Sequence, residues 1–291
     1  MTLFFFIRYF LEFLFFKIIL FLLLPLSKKF SAKIISNSFM FLGKLSKYNE
    51  IAKNNCRVVF PNLNDKEITK IINNSWRNLG YNLFEITFLK KLVKEKKTIE
   101  FKGLDIIEKI KKENSPVIFF SIHSSNWEIC VPLLDHRGFN VVAIYRHINN
   151  KFFDKYIYKQ RANALKTKNS FYTPKGKISA KEILEGVIKN KNIFLLVDQK
   201  DSAGSAIDFF GRKVKTQTGF LKIARKYNLK IVPMQNIRLP NNNLQIKFEQ
   251  PLVHNNNEVS DEKKMLEINN IIEKWIKQNP DNWFWQHKRF N

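Results

Sequence analysis

Short, almost unbroken apolar runs recur through the chain, each separated from the next by a stretch of helical spacing. Val117-Ile118-Phe119-Phe120-Ser121-Ile122 follows Pro116. Val141-Val142-Ala143-Ile144, Ile193-Phe194-Leu195-Leu196-Val197 and Ile231-Val232-Pro233 follow in turn. Runs of this length read as buried strands. Leu244-Gln245-Ile246-Lys247-Phe248 alternates instead, as a half-exposed strand does. Helices are expected near 104–113, 127–136, 151–165, 178–190 and 217–227, with a last one near 261–278 after Ser260. Further upstream, Asn64 followed by Glu67 marks a helix start, and Ile68, Ile71, Ile72 and Leu79 recur behind it at helical spacing. Strands separated by helices predict an α/β fold with a mixed or parallel sheet flanked by helices. No repeat and no long linker divides residues 27–291, which are expected to form one α/β domain.

The exception is the N-terminus. Residues 3–26 are apolar enough and long enough to cross a hydrocarbon core of roughly 30 Å as a helix. Arg8, Glu12 and Lys17 interrupt the run. Arg8 and Glu12, four apart, share a helix face and can neutralise each other in part. Lys17 projects elsewhere, so no clean polar stripe forms. No small-residue cleavage site follows Pro25, which argues against a removed signal peptide. The expectation is a membrane helix over residues 1–26, spanning or lying in the interface, against a competing reading as a phenylalanine-rich core helix. Lys28, Lys29 and Lys33 follow at once and favour the cytoplasmic side for the rest of the chain.

Composition narrows the classes further. The 291 residues include 28 Phe but only 9 Gly and 9 Pro, so collagen-like and low-complexity classes are excluded. Two cysteines, Cys56 and Cys130, cannot make a disulfide framework or a cysteine-based zinc cluster. The net charge of +25 points to an anionic partner: nucleic acid, anionic lipid or an acidic protein. Lys, Asn, Ile and Phe are all abundant, so codon bias accounts for part of the excess. No nucleic-acid reader motif is present, and the apolar N-terminus argues for lipid.

The candidate chemistry follows the first buried strand, in Ser121-Ile122-His123-Ser124-Ser125-Asn126-Trp127-Glu128. A strand-to-helix junction presents its residues at the carboxyl edge of a sheet, where α/β proteins bind ligands. A histidine there can remove a proton from a hydroxyl near neutral pH. A carboxylate can hold its other nitrogen and fix the tautomer. His123 in the loop and Glu128 in the first helical turn are close enough to form that pair, and Asn126 or Ser125 can cap the helix. A hydrogen-bonded loop histidine beside a surface glutamate is the competing reading of these two residues alone.

The wider pattern resembles the bacterial lipid A biosynthesis acyltransferases. HSSNWE after an apolar strand looks like that family's first block. Ile144-Tyr145-Arg146 with Asn149-Asn150 looks like its second. Val197-Asp198-Gln199, Phe209-Phe210-Gly211 and Thr216 through Gly219 look like its third. Pro280-Asp281-Asn282-Trp283-Phe284-Trp285-Gln286-His287-Lys288-Arg289 is similar to its terminal Pro-x-x-Trp-x-Trp-x-His-Arg-Arg. Lys213-Val214-Lys215 and the polar stretch from 200 to 207, read as a loop, depart from the family pattern.

The resemblance implies transfer of a fatty acyl chain from acyl carrier protein to a hydroxyl of a lipid A precursor, at the cytoplasmic side of an anionic inner membrane. It implies His123 as general base and Glu128 as its orienting partner, with no metal, no cofactor and no covalent acyl-enzyme. Arg146, Asp198, Gln199 and Asn126 are the expected substrate-binding residues. Arg146 would grip a phosphate, and Asp198 would hold Arg146 or the acceptor sugar. The glycerophospholipid branch of the superfamily is disfavoured, since Glu128 stands where that branch usually has Asp. Another glycolipid, aminolipid or lysophospholipid acceptor, or a basic lipid-binding scaffold without activity, are the alternatives. Trp283-Phe284-Trp285 suits either a membrane interface or docking of the terminus on the core.

Overall fold

A computed structural model describes residues 3–95, 97–254 and 259–290. The chain opens with α1 (Leu3–Leu23), α2 (Lys28–Lys44), α3 (Tyr48–Val59), α4 (Asp65–Ile86) and the single turn α5 (Leu89–Leu92). The alternating part runs β1 (Ile99–Lys102), α6 (Leu104–Glu113), β2 (Val117–Ser121), α7 (Cys130–His136), β3 (Val141–Tyr145), α8 (Lys151–Ala164), β4 (Phe171–Pro174), α9 (Lys177–Ile188) and β5 (Asn192–Leu196). It ends with β6 (Lys200–Phe209), β7 (Arg212–Thr216), α10 (Gly219–Lys226), β8 (Lys230–Arg238), β9 (Leu244–Phe248) and α11 (Asp261–Gln278).

Seven strands form one sheet in the order β1-β9-β8-β2-β5-β3-β4, and all neighbours are parallel except β8 and β9. β2 lies at its centre with all five residues buried. Successive side chains of a strand point to opposite faces. Ile118 and Phe120 therefore join one apolar cluster, with α3, α4, α10 and α11. Val117 and Phe119 join the other, with α5, α6, α7 and α8. The expected mixed or parallel, helix-flanked sheet is thus observed in its mixed, mostly parallel form. Asn64 caps α4 reciprocally with Glu67, as the sequence signals. The polar stretch from 200 is not a loop: β6 and β7 pair as an antiparallel hairpin, with Ile207, Phe209 and Val214 buried.

α1 corrects the spanning expectation. Among the described residues no helix is long and apolar enough to cross a membrane. The reason is local: Arg8, Glu12 and Lys17 fall within 21 residues. Arg8 and Glu12 do pair, at 2.9 Å. Glu12 and the carbonyl of Tyr9 also accept from Asn150, which caps α8. Phe13 and Phe16 pack on Phe153 and Tyr156 of α8, and Lys17 sits 5.0 Å from the Tyr156 ring centre. Most of the remaining surface of α1 faces outward, with Phe4 and Phe21 each 70% exposed.

α2 approaches α4 closely at Gly80, where a Cβ would lie 2.7 Å from the Ser36 Cα. That contact lets α4 run beneath the junction after β2, where it supplies Ser75, Asn78, Asn82 and Glu85.

Candidate active site

β2 and β5 are adjacent and parallel, so their carboxyl ends open at one edge of the sheet. Ser121 stands opposite Leu196 in this register, and Val197 N–H still donates to the Ser121 carbonyl at 3.1 Å. Carried two residues further on each chain, the same register sets His123 opposite Asp198. Asp198 Oδ1 is 2.8 Å from His123 Nδ1, and Asp198 Oδ2 accepts from the His123 backbone N–H at 3.1 Å. Trp283 Nε1–H also donates to Oδ2, at 2.8 Å. Asp198 is fully buried. Burial alone would raise its pKa, but the charge and hydrogen bond of His123, then His287 and the Trp283 N–H, hold it well below the usual carboxylate range. An ionised Asp198 accepts from Nδ1–H, which leaves His123 Nε2 to act as a proton acceptor.

The sequence expectation gave that orienting contact to Glu128, but among the described residues no hydrogen bond or ion pair joins Glu128 to His123. Residues 127–129 form a 3₁₀ turn before α7. Glu128 is held by Arg161 of α8 in a two-pronged pair, both contacts 2.6 Å, and accepts from Trp127 Nε1 at 3.0 Å. Arg161 lies between the Tyr145 and Tyr172 rings, 5.8 Å from each centre. Burial opposes its charge, but Glu128 more than offsets this and raises its pKa. The pair lines the same cleft as His123.

Asn126, the other expected contact in this segment, is held inside the fold. It is fully buried, donates to Glu85 at 2.8 Å and accepts from the Glu128 N–H at 3.1 Å. Ser125 adopts a positive φ of 51°, a conformation that persists only when its surroundings over-determine it. Here they do. Asn82 Nδ2 donates to the Ser125 carbonyl, and Ser125 N–H donates to the Asn282 carbonyl at 2.9 Å. Beneath them Arg238 grips Glu85 through both carboxylate oxygens, each at 2.7 Å, and donates to Asn78 and Asn82 at 2.8 and 3.2 Å.

The C-terminal segment closes the back of the junction. Ser124 and Trp283 form an antiparallel bridge, and Phe284 N–H donates to the His123 carbonyl at 2.8 Å. Trp283 and Trp285 are buried, so the aromatic cluster docks on the core. His287 donates from Nδ1 to the Phe284 carbonyl at 2.6 Å. Burial pushes its pKa down to about 4 against the pull of Asp198.

In front of His123 lies a cleft of about 390 Å³. Trp127, Glu128 and Arg161 form one wall, and Ala143, Phe194 and Leu195 give it an apolar floor. Arg146 and Gln199 line it as expected. Arg146 is exposed and has no hydrogen-bond or ion-pair partner among the described residues. Asp198, buried behind His123, touches neither Arg146 nor the cleft. The rim also carries His147, held by Asp154 at 2.6 Å. Among the described residues no three His, Cys, Asp or Glu side chains converge as metal ligands.

Three participants were not assigned these roles from sequence: Asp198 as the partner of His123, Arg161 as the partner of Glu128, and the Glu85–Arg238 pair. Only the first carried a signal, a carboxylate just past a buried strand.

The chain is similar to the lipid A biosynthesis palmitoleoyltransferase of Escherichia coli (strain K12), with 21% identity over 258 residues, covering 84% of this chain and 79% of that protein. A lipid A biosynthesis acyltransferase of Shigella flexneri matches over the same lengths at 21% identity. The sequence model of the bacterial lipid A biosynthesis acyltransferases matches residues 2–291, and the chain belongs to that family.

Proposed function

We propose that this protein transfers a fatty acyl chain from the thioester of an acyl carrier protein to a hydroxyl of a lipid A precursor, without metal or cofactor. The observation that carries the reading is His123 at the cleft, its Nδ1 held by a buried, ionised Asp198. Nε2 takes the acceptor hydroxyl proton as the oxygen attacks the thioester carbonyl. The tetrahedral intermediate collapses and expels the thiolate, which recovers the proton from Nε2–H. No acyl-enzyme forms. Asp198 stabilises the imidazolium in between. Arg161, fixed by Glu128, supplies positive charge to the same cleft, where negative charge develops on the carbonyl oxygen. Glu128 thus serves the site through Arg161. The exposed Arg146 receives a phosphate of the lipid or of the carrier's prosthetic arm, and Gln199 borders the same space.

The body, residues 27–291, works at the cytoplasmic face of the anionic inner membrane, with α1 lying in the interface. Support comes from the outward apolar surface of α1 and from Lys28, Lys29 and Lys33 beside it. Its seat on α8, the helix that carries Arg161, sets the cleft next to the lipid.

The test is acyl transfer by the purified protein from acyl carrier protein to a lipid A precursor, followed by mass spectrometry. General-base catalysis contributes roughly 10²–10⁴-fold, so His123→Ala and Asp198→Asn should each lose at least that. Glu128→Gln should also be damaging. Wild-type turnover by folded His123→Ala refutes the mechanism.

A further inference from the structure

The C-terminal segment does more than cover apolar surface. Trp283 Nε1–H donates to Asp198 Oδ2 at 2.8 Å, on the carboxylate whose other oxygen faces His123 Nδ1. The main chain around Trp283 is tied to the histidine loop at three successive points: Asn282 O to Ser125 N–H, Trp283 by its bridge to Ser124, and Phe284 N–H to His123 O. Its own carbonyl accepts from Ser75 at 2.7 Å, which anchors it to α4. Its ring is buried and packs on Trp285 and Phe209. A single residue thus joins the carboxylate behind His123 to the backbone that carries His123.

A buried carboxylate with a free Oδ2 can rotate or take up water. With Oδ2 occupied by the indole N–H and by the His123 backbone N–H, and with Oδ1 left to Nδ1, its rotation is fixed. We infer that Trp283 is a positioning residue for the reaction, acting through its indole N–H on Asp198 and thereby on the His123 ring. The inference rests on His123 being the base, as proposed above. His287 and Arg289 also reach Asp198 electrostatically, so the test must remove the N–H and leave both in place.

Replacement of Trp283 by 3-benzothienylalanine does this, since sulfur takes the place of N–H in a ring of nearly the same size. Trp283→Phe serves as a second variant. Thermal unfolding checks that each is folded. Losing one hydrogen bond to a charged group should lower kcat by about 10- to 10²-fold, with KM for both substrates within about 2-fold. In an Asp198→Ala background the same replacement should cost no further kcat, because the acceptor is gone. An unchanged kcat in the folded benzothienyl protein overturns the inference. So does an equal loss in both backgrounds, which marks a role in packing alone. His123→Ala run alongside separates the two levels: if it stays active, the proposed base is wrong; if it is inactive while the benzothienyl protein matches wild type, only the role of Trp283 falls.

Discussion

Arg238 is the side chain whose loss should reveal how the histidine loop is held. Its side chain is 6% exposed and that of Glu85 is 11% exposed. It spends donors on both Glu85 oxygens, on Asn78 and on Asn82, and its guanidinium lies 4.9 Å from the Tyr81 ring centre. In Arg238→Met, Glu85 remains buried with, among the described residues, only Asn126 as its side-chain donor. Breaking a buried pair from one side costs about 3–5 kcal/mol, because the abandoned charge stays out of water. Glu85→Leu should cost a similar amount by stranding Arg238. The double variant removes both charges, so its cost should fall below the sum of the singles by about 2 kcal/mol or more. It will not return to wild type, because Asn78, Asn82 and Asn126 still lose partners at about 1–3 kcal/mol each. Denaturant unfolding at fixed detergent, followed by tryptophan fluorescence, gives the cycle. Turnover should fall in both singles at temperatures where they remain folded, since Asn82 and Asn126 no longer fix the Ser125 turn. Single-variant costs no larger than the ~1 kcal/mol ceiling of an exposed pair, or additive costs, would refute this account.

Phe15 and Phe21 of α1 are 66% and 70% exposed, and burying a Phe is worth roughly 1.5–3 kcal/mol. Changing both to Asp should cut partitioning onto anionic vesicles roughly 10²-fold or more in a sedimentation assay, and undiminished pelleting would remove α1 from the membrane contact. His287 has its pKa depressed to about 4 from an ordinary 6.5, so the folded state prefers it neutral. Its contribution to stability is complete above pH 6.5 and is lost as pH falls from there towards 4; His287→Asn should flatten that slope in unfolding measurements, and an identical slope contradicts the assignment. With a net charge of +25, the apparent KM for an acyl-carrier-protein donor should rise with salt, since screening acts over about 8 Å at physiological ionic strength. A short acyl-pantetheine donor should respond less, and equal responses would argue against electrostatic docking of the carrier.

Much of the sheet was legible because buried parallel strands leave continuous apolar runs, and β2, β3, β5 and β8 all do. β6 and β7 left none. Their core contact rests on Ile207, Phe209 and Val214, while Lys213 and Lys215 face outward, so a polar stretch hid a hairpin. In α1 mean hydropathy pointed one way and three charges the other, and the charges decide, since each must be kept out of hydrocarbon.

The partner of His123 shows where reading along a chain stops. Glu128 was the nearest carboxylate in sequence, and a five-residue offset leaves contact open. What settles the geometry is two facts about other strands and helices. β5 lies next to β2, so a residue two past its end meets His123. α8 brings Arg161 to the turn after β2, and Arg161 bonds both carboxylate oxygens of Glu128. Neither adjacency is encoded in local spacing, because strand order in a parallel sheet follows from crossovers that no window contains. Within HSSNWE the division is just as invisible. His123 and Glu128 face the cleft, while Ser125 and Asn126 turn inward and spend every hydrogen bond described for them on Asn78, Asn82, Glu85 and Asn282 or within the turn itself. Half of the motif that announces the chemistry is scaffold for the other half.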